Sequence, residues 1–148
     1  MYILLAFVLI AVDQLTKYWV QQNIPLWESI PIIKNVFHLT HVHNPGAAFS
    51  ILAHQKWFFV LTAVIAIVAV WLLRKAITQQ GRLFKWGLAM ALAGAIGNLI
   101  DRLRLDVVVD FFDFQIWPVF NVADICIVLG VCILIGTILR QDVIGKRS

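Results

Sequence analysis

GAIGNLIDRLRLDVVVDFFDFQIWPVFNVAD, residues 94–124, leaves one long apolar run, crosses mixed apolar and acidic residues, and enters another apolar run at its end. Asp101, Asp110 and Asp124 therefore stand at the edges of segments otherwise suited to a membrane interior. Carboxylates in such places are costly, which makes them functional candidates by default. Asp106 and Asp113 fit ordinary loop acids in water. Asp124 does not, because apolar residues continue from it to Leu139.

The whole chain shares this character. Of its 148 residues 61% are hydrophobic and only 14% charged, and mean hydropathy is +0.88. Water cannot be the solvent for most of such a surface, so the sequence predicts an integral membrane protein of one domain, residues 1–148. The net charge of +4 does not point to nucleic acid. Arg74, Lys75, Arg82 and Lys85 sit in one connection and Arg140, Lys146 and Arg147 in the tail, which is the positive-inside pattern of short loops. Cys126 and Cys132 both fall in the last apolar run and read as buried thiols rather than a disulfide or a metal site.

Four apolar runs, 3–20, 57–73, 83–100 and 120–139, are each about long enough to cross a bilayer with flanking anchors. Trp19, Trp57, Trp71, Trp86 and Trp117 lie at or near their ends, where an interfacial aromatic belt would place them. An even number of crossings puts both termini on one side, and the basic loop and tail make that side the cytoplasm. Residues 21–56 and 101–119 then face outward. The first run lacks a basic leading region and a small-residue cleavage site, so it reads as a retained helix. Asp13 and Lys17, four apart and acid first, share a face of it. Their structural reading is a salt bridge that fixes helix packing; a proton or ion relay is the other.

The first outer loop is patterned. Pro25 and Pro31 break helix, NVFHLTHVHN alternates like a strand, and Asn44, Pro45 and Gly46 supply turn chemistry. Residues 32–52 therefore read as a small sheet or hairpin on the membrane surface. His38, His41 and His43 suggest a metal, but period-two geometry puts His38 opposite the other two, with no cysteine or acid near in sequence, so no metal site is expected. The run 57–73 carries no charge and reads as packing alone. In the next, Gly87, Ala91, Gly94 and Ala95 permit close helix contact, and Gly94, Asn98, Asp101 and Arg102 share a face where the helix leaves the bilayer. Residues 103–119 read as an interfacial segment, partly helical. Pro118 ends it, Asn121 is a candidate N-cap, and Asp124 falls in the first turn of the last helix, where the dipole favours an anion.

If the last two helices pack side by side, Asp110 and Asp124 can meet above their outer ends. Two close carboxylates do not easily both ionise, and one holds a proton. That is the starting state for aspartyl peptide hydrolysis, in which the charged member activates water and the neutral member protonates the carbonyl oxygen. No nucleophilic Ser or Cys stands beside a His, and there is no HExxH. Spacing alone supports only a membrane protein with an outward-facing acidic site.

The motifs go further. DQLTK at Asp13–Lys17, HNPGAAFS at His43–Ser50, AGAIGNLIDR at Ala93–Arg102, VVDFFDF at Val108–Phe114 and FNVAD at Phe120–Asp124 occur in the order, and on the four-helix plan, of a known family. The chain resembles the bacterial lipoprotein signal peptidases (signal peptidase II), aspartyl proteases of the cytoplasmic membrane. The resemblance implies that Asp110 and Asp124 are the catalytic pair and that Asn44, Gly46, Asn98, Asp101, Arg102 and Asn121 bind substrate or support the site. Asp13 and Lys17 would be structural. It implies four transmembrane helices with a small extracytoplasmic β-cradle between the first two, and an active site at the outer, periplasmic face of the inner membrane. The substrates would be prolipoproteins, cleaved just before a cysteine carrying diacylglycerol, with membrane lipid and no nucleic acid as further partner and no cofactor. Asp106 and Val107 stand where the family commonly has Gly and an aromatic or similar residue, and Ala93 where a second Gly is common. Two other readings compete: a small four-helix transporter subunit using Asp13 or Asp124, which would favour short loops and a mid-membrane acid, and a structural assembly factor indifferent to either aspartate.

Overall fold

The computed structural model describes residues 1–46 and 55–145, with side chains to residue 141. In chain order the elements are α1 (Tyr2–Asn23), β1 (Ser29–Ile33), β2 (Phe37–Asn44), α2 (Lys56–Leu72), α3 (Arg74–Gln79), α4 (Arg82–Leu105), β3 (Val108–Asp113) and α5 (Val122–Gly145). Each apolar run is a helix, and all but α2 extend several residues beyond the run. By length and composition α1, α4 and residues Val122–Gln141 of α5 can cross a membrane, while α2 is a shorter apolar helix of 17 residues. The six-residue α3 in the basic connection was not anticipated. Large apolar side chains cover the outside of the helices, among them Phe7, Leu61, Ile65 and Leu129. Such a surface belongs in lipid, and the chain is a multi-pass membrane protein.

The small residues of α4 decide how the helices meet. A Cβ added to Gly87 would lie 2.8 Å from the Ile133 side chain, and one on Gly130 would lie 2.5 Å from the Ala91 backbone nitrogen. One on Gly94 would collide with the Ala123 carbonyl oxygen. α4 and α5 therefore touch backbone to backbone, which only hydrogen or a methyl group permits. Ala93 is itself buried in α4. Cys126 is buried, but Cys132 lies on the exposed side of α5, contrary to the reading of two buried thiols. Six residues along a helix is not a whole number of turns, so the two thiols point differently.

The three strands form one antiparallel sheet in the order β1-β2-β3. Here the sequence reading needs correction, because the segment expected to be partly helical contains β3. Val108, Val109, Phe111 and Phe112 are strand formers, and Leu39↔Phe112, Val42↔Asp110 and Asn44↔Val108 pair them with β2. The hairpin also starts earlier than expected, at Ser29, and carries Pro31 in an edge strand where its missing N–H is tolerated. The second half of the HNPGAAFS motif, from residue 47, lies outside the described residues. Val20, Ile24, Val109 and Phe111 form a buried cluster that seats the sheet on the end of α1. Beyond β3 the chain folds back through backbone bonds between Phe112 and Phe120, and this delivers it to the start of α5.

Candidate active site

The start of α5 is built by its own sequence. Asn121 Oδ1 accepts the Asp124 N–H at 2.9 Å, and Asp124 Oδ2 accepts the Asn121 N–H at 3.2 Å. This reciprocal cap satisfies two otherwise orphaned donors and holds the Asp124 carboxylate at the positive end of the helix. Asp110 arrives from β3, only 2% exposed. Asn121 Nδ2 donates to Asp110 Oδ1 at 2.7 Å, and Asn44 Nδ2, from β2, donates to Asp110 Oδ2 at 2.8 Å. Asn98 Nδ2, from α4, donates to Asp124 Oδ1 at 2.8 Å. Every oxygen of the two carboxylates thus accepts an N–H, and Asn121 touches both acids.

Burial pushes the Asp110 carboxyl up to about 7, and the neighbouring Asp124 pushes the same way. The bonds from Asn44 and Asn121 and the charge of Lys17 act in the opposite sense. Arg102 closes the side of the site. Its Nη2 donates to the Gly46 carbonyl at 3.0 Å, and its guanidinium lies 4.4 Å over the Phe59 ring. Behind the two acids, Asp101 joins Asp13 in pairing with Lys17, each at 2.9 Å. The salt bridge expected within α1 is therefore half of a larger cluster that reaches α4.

Asp110 and Asp124 face a cavity of about 490 Å³ whose polar lining includes Asn44, Asn98 and Arg102. Phe59, Thr62, Ala63 and Ala66 line it from α2, with Ile127 and Val128 from α5. Reading the second helix as packing alone missed this. Its run of small residues at Thr62, Ala63 and Ala66 was the available signal. Gln14, bonded within the Lys17 cluster, was also missed, since an amide in an apolar helix gives no pattern of its own. His38, His41 and His43 lie in β2: His41 Nδ1 meets the Ile24 carbonyl at 2.8 Å, His38 pairs with Ser29, and the His41 and His43 rings are 5.1 Å apart. Among the described residues no group of three or more His, Cys, Asp or Glu is arranged to hold a metal. Asp106, the departure noted in the sequence, pairs with Lys56 at the solvent-exposed end of α4.

A buried acid and a helix-capping acid, fixed by amides at the mouth of an apolar cavity, can share a proton and activate a water. The chain as a whole is similar to known proteins. The family model described as signal peptidase (SPase) II matches residues 5–140. The lipoprotein signal peptidase of Moorella thermoacetica is 48% identical over 133 residues, spanning 90% of this chain and 89% of its own. That of Brevibacillus brevis is 48% identical over 150 aligned positions, spanning 99% and 98%. A bacterial membrane enzyme solved by the in meso method at 2.3 Å resolution superposes with a TM-score of 0.89 at 31% identity, over 95% of this chain and 88% of that one.

Proposed function

The chain belongs to the signal peptidase II family, and from that premise we propose that Asp110 and Asp124 are its catalytic pair. It is a hydrolase that removes signal peptides from prolipoproteins. The observation that carries the residue assignment is Asn121, which holds Asp110 by its side chain and Asp124 by its backbone at the mouth of one cavity.

The chemistry follows from the two environments. Asp110, buried and raised to about 7, keeps a proton near neutrality. Asp124, at the helix N-terminus and open to the cavity, serves in this reading as the general base. A water between them gives a proton to Asp124 as its oxygen bonds the scissile carbonyl carbon. Asp110 gives its proton to the carbonyl oxygen, leaving a neutral diol. Asp124 then passes its proton to the amide nitrogen, the C–N bond breaks, and a diol O–H returns its proton to Asp110. The products are a carboxylic acid and the amine of the new N-terminus, and the pair is restored. The cycle needs no cofactor.

In this reading the cleaved bond precedes the diacylglyceryl-modified cysteine, whose lipid chains lie along the apolar lining from α2 and α5. Asn44, Gly46, Asn98, Arg102 and Asn121 hold the acids and the adjacent backbone. α2 completes four spans, the sheet is an extracytoplasmic cradle for extended peptide, and the basic end of the bundle lies in the cytoplasm. The site then stands at the outer face of the bacterial inner membrane, and residues 1–148 act as one unit.

The test is cleavage of a diacylglyceryl-modified prolipoprotein by the purified protein in detergent, read as a gel shift. Wild type cleaves, and Asp110→Asn and Asp124→Asn, each with wild-type helix content, do not. Persistent cleavage by both variants would remove the pair from the mechanism.

A further inference from the structure

The buried charges on α1 and α4 lie one residue from each of the two acids. Lys17, 2% exposed, has three acceptors for its three N–H groups: Asp13 Oδ2 and Asp101 Oδ2 at 2.9 Å each, and Asn98 Oδ1 at 3.0 Å. Asp13 Oδ1 in turn accepts the backbone N–H of Ala123 at 2.9 Å, and Ala123 immediately precedes Asp124. Asp101 Oδ2 accepts the backbone N–H of Val109 at 3.1 Å, and Val109 immediately precedes Asp110. Gln14 Nε2 joins the two carboxylates, 3.1 Å from Asp13 Oδ2 and 3.0 Å from Asp101 Oδ1, and also lies 3.2 Å from the Gly97 carbonyl. Asn98 completes the pattern. Its Oδ1 accepts from Lys17 and from Asn121, so its Nδ2 is turned toward Asp124.

We propose that Asp13, Gln14, Lys17 and Asp101 form a single positioning unit that sets where both catalytic carboxylates stand. The proposal rests on the reading of Asp110 and Asp124 as the catalytic pair. Each acid is carried by a different element, β3 or α5, and each element is tied to the same ion cluster by the amide next to its acid. Without that shared anchor the strand and the helix could shift independently, and a misplacement of about 1 Å at a reacting group costs on the order of 100-fold in rate. A simple packing role explains the cluster less well. Desolvation largely cancels the attraction of buried ion pairs, which makes them weak sources of stability. Nor would packing require both carboxylates to spend an oxygen on the residue before a catalytic aspartate.

Two variants disturb the unit without removing a charge. Gln14→Leu deletes the amide link between Asp13 and Asp101 and leaves the one through Lys17. Gly97→Ala places a Cβ 2.6 Å from Asp13 Oδ2, which displaces that carboxylate without removing any polar group of the cluster. In the prolipoprotein cleavage assay, at matched helix content, each lowers kcat by about 10- to 100-fold and leaves KM within about twofold of wild type, since the substrate cavity is intact. Asp13→Asn and Asp101→Asn, where an amide N–H would face an existing donor, lower kcat further. Their double variant is no slower than the slower single one, because one anchor is already lost. Wild-type kcat in folded Gln14→Leu and Gly97→Ala overturns the proposal, as does a double variant whose losses multiply. Asp110→Asn and Asp124→Asn run alongside. If they are inactive while the cluster variants run at wild-type kcat, only the positioning unit falls. If they stay active, the catalytic pair falls and takes the unit with it.

Discussion

Asp110 is a carboxylate only 2% exposed, and the pH behaviour follows from that. Its carboxyl is raised to about 7 in the folded protein, chiefly by burial and then by Asp124, whereas an unfolded chain ionises it at about 3.9. Between these values the folded state holds the extra proton, so the Asp110 contribution to stability falls as pH rises through that window. The proposed hydrolytic cycle needs one proton on the pair, so the expected outcome is a kcat that declines as pH rises through about 7. Its profile reports the coupled pair rather than either acid. A kcat that stayed flat from pH 6 to pH 9 would contradict this protonation. Asp106 makes a separate case. It ends α4 with φ 64, a left-handed conformation usually left to glycine, and pairs with Lys56 across exposed surface. Asp106→Ala keeps the strain and loses the pair, so it unfolds below wild type by about 1 kcal/mol. Asp106→Gly relieves the strain and stays near wild type in thermal unfolding.

Among the elements, the seam between α4 and α5 shows how packing reaches the site. The Ala123 carbonyl lies against Gly94, and Asp124 is the next residue along α5. Gly94→Ala must move backbone rather than a flexible side chain. It costs about 1–3 kcal/mol and shifts Asp124, so both the melting temperature and the cleavage rate fall. Gly136, where an added Cβ meets nothing within 4 Å, is the control, and Gly136→Ala leaves both unchanged. Such contacts were legible in the sequence because small residues at helical spacing are a local pattern, as were the Asp13–Lys17 pair and the Asn121 cap. β3 was not. Its segment mixes apolar and acidic residues as an interfacial helix would, and what makes it a strand is β2. The Asn44–Asp110 bond spans a separation of 66 residues, and no local periodicity encodes a partner that distant.

At the scale of the whole molecule, the long apolar helices were legible in the sequence, and the shared site only through single residues. Four apolar runs described the four long helices of the bundle. That α2 lines the cavity depends on how the bundle closes, and the small residues Thr62, Ala63 and Ala66 were its only local signal. The consequence concerns how substrate enters. The acids line the cavity together with apolar Ala63, Ala66, Ile127 and Val128, from helices whose outer faces carry large apolar side chains. On the proposed function, a diacylglyceryl group stays among these apolar side chains while the adjacent peptide bond reaches Asp110 and Asp124. Leaving hydrocarbon for water would cost about 0.8 kcal/mol per methylene. Ala63→Phe fills part of that lining without touching any polar group of the site. It raises KM for a long-chain diacylglyceryl substrate about tenfold or more, since even two excluded methylenes are worth about that factor. For a short-chain analogue KM stays near wild type, and kcat is preserved for both because the acids and their amides are untouched. Equal increases in KM for long and short chains would show that the lipid lies elsewhere and that α2 contributes to the site only by packing.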